Sequence, residues 1–202
     1  PLPYESPADL VARLAREKAQ ARVGAGEIVL AADTVVVIDN EILGKPADAT
    51  EARSMLARLS GRDHEVYTGV ALADGSSGRG GSGASSGSRV PTRLASRVER
   101  TQVRIREMSA AEIAAYVAGG EPMDKAGAYA IQGWGALFVE AIAGNYTNVV
   151  GLPMPAVEAS SAAARAVRGG GAGCSCTSSR RGCRGPCRGR VGRKCCSSDC
   201  GR

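Results

Sequence analysis

No stretch of about eighteen apolar residues occurs in the 202-residue chain, so no membrane-spanning helix is expected. Cysteine is missing from the first 173 residues; all seven lie between Cys174 and Cys200. A cysteine-free body fits a reducing compartment without demanding one. Histidine occurs once, as His64. With no cysteine or second histidine nearby it is a poor metal site, so a structural or merely exposed role is expected. The opening PLPYESPADL has neither the basic nor the apolar segment of a signal peptide, and it has no initiator methionine. A cytoplasmic setting is therefore expected, with no membrane partner.

Charge divides the chain in two. From Arg165 onward there are ten basic residues and one acid, Asp199, which leaves 16 basic and 19 acidic residues before that point. The body carries about −3 and the tail about +9, so the high pI belongs to the tail. The segment 169–202 is Gly, Ser, Arg and Cys with almost nothing apolar, too little to offset its ordering entropy, and a disordered tail is expected over a zinc module. Its positive charge could attract nucleic acid electrostatically. The Gly/Ser-rich segment 74–88 is expected to be a flexible insert. Within it Gly78–Gly83 formally matches G-x-G-x-x-G, but more Gly and Ser follow where a helix is required, and the match is discarded.

The body reads as alternating helices and strands, one domain over 1–168. Ser6-Pro7-Ala8-Asp9 is a helix start, with a cap, a proline suited to the first position and an acid facing the helix dipole. Leu10, Leu14 and Lys18 then recur at i, i+4 and i+8, which puts Lys18 in line with the apolar stripe, where it must either snorkel out or meet an anion. Ile28–Ile38 is strand grammar, and Asp39-Asn40 reads as a tight turn toward Ile42-Leu43. A helix from Ala49 to Ser60 follows, capped by Asp48 or Thr50 and closed by Gly61. Strands are expected over Glu65–Leu72 and Val98–Arg106. Ser109 and Glu112 form a capping box for a helix ending at Gly119-Gly120. Further strands are expected over Ala136–Ile142 and Asn148–Val150, with a turn at Gly144-Asn145, and a last helix over Pro155–Arg168.

One residue in this pattern is costly. Asp33 sits between two apolar runs, IVLAA and VVVI, and a carboxylate there requires pairing, hydrogen bonding or a metal. Lys45 stands twelve residues on, after the turn. A second dense stretch sets Asp124, Lys125 and Gln132 among small residues that let a backbone come close to a ligand.

The ordered motifs LAREKA, AADTVVV, GKPADATEA, SGRDHEVYTGVAL, MDKAGAYAIQG and NVVGLP resemble the Maf family of nucleoside triphosphate pyrophosphatases over roughly 1–157. The resemblance implies an α/β fold, a mixed β-sheet with flanking helices and a nucleotide-binding cleft of Maf/inosine triphosphatase-like architecture. It implies hydrolysis between the α and β phosphates, assisted by a divalent cation, Mg2+ or Mn2+. By position it makes Asp33 the general base, Asp33 and Asp124 metal ligands, and Lys18, Thr34, Lys45, Lys125 and Gln132 substrate-binding residues. Gln132 looks like the branch acting on dTTP and UTP. Family members open with a strand and an S-x-S-P-R-R phosphate loop that lie before Pro1. The alternative expectation is thus an impaired fragment or pseudoenzyme whose basic tail binds nucleic acid. An exposed sheet edge permits a homodimer.

Overall fold

The computed structural model describes residue 2, residues 4–75 and residues 93–169, with side chains to residue 162. The expected flexible insert, apart from Asp74 and Gly75, and the Cys/Arg tail after Gly169 lie outside the described residues, as do the discarded glycine motif and the nucleic-acid and zinc readings attached to the tail.

Helix α1 (Pro7–Arg22) begins as its sequence dictates: the Ser6 hydroxyl accepts the Asp9 N–H at 3.2 Å, and Pro7 occupies the first turn. Strand β1 (Ile28–Ile38) turns through Asp39 and Asn40 into β2 (Glu41–Leu43). Both turn residues have positive φ, 53° and 62°, the conformation a two-residue hairpin requires and one that Asp and Asn tolerate. Helix α2 (Ala49–Leu59) is capped by Asp48, whose carboxylate accepts from Thr50 and Glu51 N–H groups at 2.8 Å; this selects Asp48 over Thr50. Strand β3 (Asp63–Asp74) and strand β4 (Arg93–Ile105) are longer than their alternation suggested. Helix α3 (Ala110–Ala118) carries the expected capping box between Ser109 and Glu112.

Two expectations are corrected after α3. Strand β5 covers only Val139–Ala143, because Trp134–Phe138 forms a 3-10 turn. The cause is Glu121, whose carboxylate takes the N–H groups of Trp134 and Gly135, both at 3.0 Å, and so curls the chain before it can extend. Asn148–Val150 is not a strand but part of helix α4 (Tyr146–Val150). Asn145 caps it through the Thr147 N–H and Gly151 ends it at φ 112°, so the two ends override the β-branched Val149-Val150 pair. Helix α5 (Met154–Gly169) closes the described fold. No helix among the described residues is long and apolar enough to cross a membrane.

The five strands form one sheet in the order β2-β1-β3-β4-β5, and every pairing among the described residues is antiparallel. Period-two alternation sorts the side chains between the two faces. Odd-numbered residues of β1 and β3 face α1: Val35 and Val37 pack with Leu10 and Val11, and Ala71 and Ala73 with Ala15 and Ala19. The small residues on both surfaces let the helix lie close. Even-numbered residues face the larger core, where Val36, Ile38 and Val66 meet Met55, Leu56 and Leu59 of α2 and Ile113, Tyr116 and Val117 of α3. Each fully buried leucine there contributes roughly 1.5–3 kcal/mol. The result is an α/β fold with helices on both faces, as expected. The sheet expected to be mixed is instead antiparallel throughout the described residues, because neighbouring strands there run in opposite directions and no crossover sets two of them parallel.

Candidate active site

Strand β2 pairs with β1 only at Val36, Val37 and Ile38, so β1 has an unpaired edge before Val36 among the described residues. Because Ile38 and Glu41 flank the two-residue turn as a hydrogen-bonded pair, the even-numbered residues of β1 aim their main-chain groups toward β2. Ala32 and Thr34 therefore direct theirs away from β3, to the side where no strand pairs with them among the described residues. A cavity of about 420 Å3 wraps round this edge, reaching from the α1 face to the other face of the sheet. Its lining includes all seven residues singled out in the sequence: Lys18, Asp33, Thr34, Lys45, Asp124, Lys125 and Gln132.

Asp33, with its side chain 16 % exposed, lies on the α1 face, and the Lys18 ammonium pairs with its carboxylate and reaches toward the Ala32 carbonyl at 3.5 Å. The stripe-aligned lysine has met an anion. With Lys18 itself 55 % exposed, the pair contributes about 0–1 kcal/mol to stability, so fold maintenance does not account for it. From the other face come Thr34, Lys45, Asp124, Lys125 and Gln132. Asp124 accepts from Lys125 at 2.5 Å; this contact, with Lys45 farther off, holds its carboxyl below the usual range. Tyr129, Ile131 and the Val149–Gly151 end of α4 supply a neutral wall.

Two carboxylates border the cavity, and no group of three or more His, Cys, Asp or Glu residues placed to hold a metal occurs among the described residues. Mg2+ is commonly held by one or two carboxylates with phosphate oxygens and water completing its shell. The donor set of Asp33 and Asp124 fits that mode of binding and would not form a closed protein cage.

Sequence reading missed Glu121. Its carboxylate receives the Tyr116 hydroxyl at 2.9 Å besides the two N–H groups already named, and so sets the loop that follows Gln132. Burial pushes its pKa up, but the Gly135 and Trp134 N–H groups and Tyr116 outweigh that and leave it below the ordinary value. Gly133 at φ 97° permits the wrap: a Cβ there would lie 2.7 Å from the Glu121 Oε2. The only signal in the chain was an acid between a double glycine and a proline.

His64 is buried, not exposed, and its Nε2 lies 2.7 Å from the hydroxyl of Tyr129, which lines the cavity. Burial lowers its pKa to about 4, against a smaller upward pull from Asp63. The unfolded chain, near 6.5, thus binds this proton more tightly than the native state. The stability from keeping His64 neutral is complete above pH 6.5 and is lost as pH falls toward 4, by roughly 3 kcal/mol at about 1.4 kcal/mol per pH unit. Denaturant unfolding at pH 7 and pH 4 should show His64→Asn losing less stability than the native chain over this window. Equal losses would contradict the assignment.

The family model described as Maf-like protein matches residues 1–162. Among curated relatives, the dTTP/UTP pyrophosphatase of Bacillus cytotoxicus is 48% identical over 153 residues, spanning 75% of this chain and 72% of the relative. The dTTP/UTP pyrophosphatase of Anaeromyxobacter dehalogenans is 50% identical over 153 residues, 76% and 72% of the two chains. That of Symbiobacterium thermophilum is 51% identical over 152 residues, 74% and 70%.

Proposed function

We propose, since the chain belongs to the Maf family, that it hydrolyses nucleoside triphosphates to the monophosphate and pyrophosphate, with dTTP and UTP as its preferred substrates. The observation that carries the reading is the gathering of three lysines, two carboxylates and a neutral wall in one cleft. A triphosphate needs cationic partners, and a base and sugar need a less charged surface; both are within reach of a single ligand in a volume of this size.

Asp33 is the general base in this proposal. Water is a poor nucleophile at neutral pH, and a carboxylate in hydrogen-bond reach orients it and takes its proton as its oxygen bonds to phosphorus and the α–β bridge breaks. The departing pyrophosphate keeps the bridging oxygen and its charge. Lys18, Lys45 and Lys125 hold the phosphates, and Gln132 hydrogen-bonds the base edge. Lys18 rests on Asp33 in the free protein, so substrate phosphates compete for it and release the carboxylate to water. A divalent cation held by Asp33 and Asp124 would supply charge neutralisation on the phosphate oxygens. A cytoplasmic setting, where nucleotide pools reside, belongs to the same proposal.

Incubation with dTTP, UTP, CTP and GTP in the presence of Mg2+ or Mn2+ tests this. Pyrophosphate should appear stoichiometrically with monophosphate, fastest for dTTP and UTP by about tenfold or more, in line with hydrogen-bonded base selection. Release of single phosphate, or no release from any of the four, would overturn the reading.

A further inference from the structure

A hydroxyl has one proton, and the threonines behind the cleft have little freedom in how they use theirs. Thr68 of β3 is fully buried, and its Oγ1 lies 3.1 Å from the main-chain carbonyl of Asn148 in α4. A carbonyl only accepts, so the Thr68 proton is committed to it. The same Oγ1 lies 2.9 Å from the Oγ1 of Thr34, its direct cross-strand partner in the β1–β3 register. With the Thr68 proton spent, Thr34 must donate in that contact. The Asn148 end of the chain is itself fixed, since its side-chain amide donates to the Val66 carbonyl at 3.1 Å and to the Thr101 hydroxyl at 2.8 Å.

Thr34 lines the cleft, and with its proton turned inward it offers the cleft only lone pairs. Gly151 keeps them accessible: a Cβ at that position would sit 3.6 Å from the Thr34 Oγ1. The cleft lining holds neutral residues, Gln132, Ile131, Val149 and Val150, beside its charged groups, and Gly151, the neighbour of the Thr34 hydroxyl, continues the neutral part, which suits a base better than a phosphate.

We propose that Thr68 is a positioning residue that fixes Thr34 as a hydrogen-bond acceptor toward the cleft, so that the site favours bases presenting a ring N–H there, as uracil and thymine do, and disfavours cytosine, whose ring nitrogen is an acceptor. The proposal rests on the nucleotide-hydrolase reading and deepens it. Removing the Thr68 hydroxyl returns the proton to Thr34, which then donates to cytosine as readily as it accepts from uracil.

The test measures equilibrium binding in Mg2+ by calorimetry, using the non-hydrolysable α,β-imido forms of deoxyuridine, deoxycytidine and dideoxyuridine triphosphate. The native chain should bind the deoxyuridine form at least about tenfold more tightly than the deoxycytidine form. Thr68→Val should raise affinity for the deoxycytidine form about tenfold while changing the deoxyuridine form less than about threefold, and Thr68→Ser should keep the native ratio. A gain of affinity is a result that a merely damaged fold cannot give. Should Thr68→Val fail to fold, Thr34→Val leaves the buried Asn148 carbonyl satisfied and must still collapse the ratio. Equal weakening of both ligands by Thr68→Val, or a native chain indifferent to uracil and cytosine, would overturn the proposal. A loss confined to the dideoxy form would do so too, by moving the acceptor to the sugar. Failure of turnover with UTP, read separately, would count against the hydrolase reading, whereas these binding ratios bear on Thr68.

Discussion

Asp33→Asn should lower pyrophosphate release from dTTP by about a thousandfold or more while leaving the thermal midpoint nearly unchanged. General-base catalysis alone accounts for about 10²–10⁴ in rate, and the same change weakens any cation shared with Asp124. Asparagine keeps the shape of the side chain and the β1–β3 register, in which Asp33 faces Gly69. The lost ion pair with Lys18 is partly exposed and contributes about 1 kcal/mol at most. Single-turnover kinetics with a parallel melting curve checks both halves. A variant within tenfold of the native rate would remove Asp33 from the role of base, and a large fall in midpoint would turn it into a structural residue.

Gly69→Ala should cost more than about 4 kcal/mol of stability, or prevent folding, although it adds a single methyl group in a strand. That Cβ would lie 2.2 Å from the Val11 carbonyl oxygen and 2.4 Å from its carbon, both main-chain atoms of α1. Rotamer changes cannot relieve a clash with backbone, so the helix itself must lift, and with it the Leu10, Val11, Ala15 and Ala19 contacts. Because α1 also carries Lys18, a variant that does fold should bind triphosphate less tightly. Chemical denaturation measures the first effect and nucleotide titration the second. A loss below about 1 kcal/mol would contradict the close contact between Gly69 and the Val11 main chain.

Local grammar made much of the fold legible. Ser6, Asp48 and Ser109 announce helix starts through hydrogen bonds that span three residues or fewer, and the Asp39-Asn40 turn follows from which residues tolerate positive φ. The site was legible for a different reason: Asp33 and Lys18 each violate an apolar pattern, and their partners turned out to be one another. What escaped was non-local. The clash at Gly69 depends on a helix 58 residues earlier, and the Thr34–Thr68 contact on a register set 34 residues apart. The β-branched Val149-Val150 pair read as strand because Asn145 and Gly151 suit a turn as well as the two ends of a helix, and the contact that anchors the helix, Asn148 against Val66 and Thr101, reaches 82 and 47 residues away in sequence.

The cleft around the free edge of β1 has a mechanical consequence. Lys18 stands on the layer of α1 and Lys45 on the far layer, and the strand that separates them lacks a neighbour where they converge. A ligand gripped by both would act as a clasp joining the two layers. Local fraying of α1 would then require release of the ligand, and the two layers would exchange their amide protons as one cooperative unit, its strength set by how much nucleotide the surroundings contain.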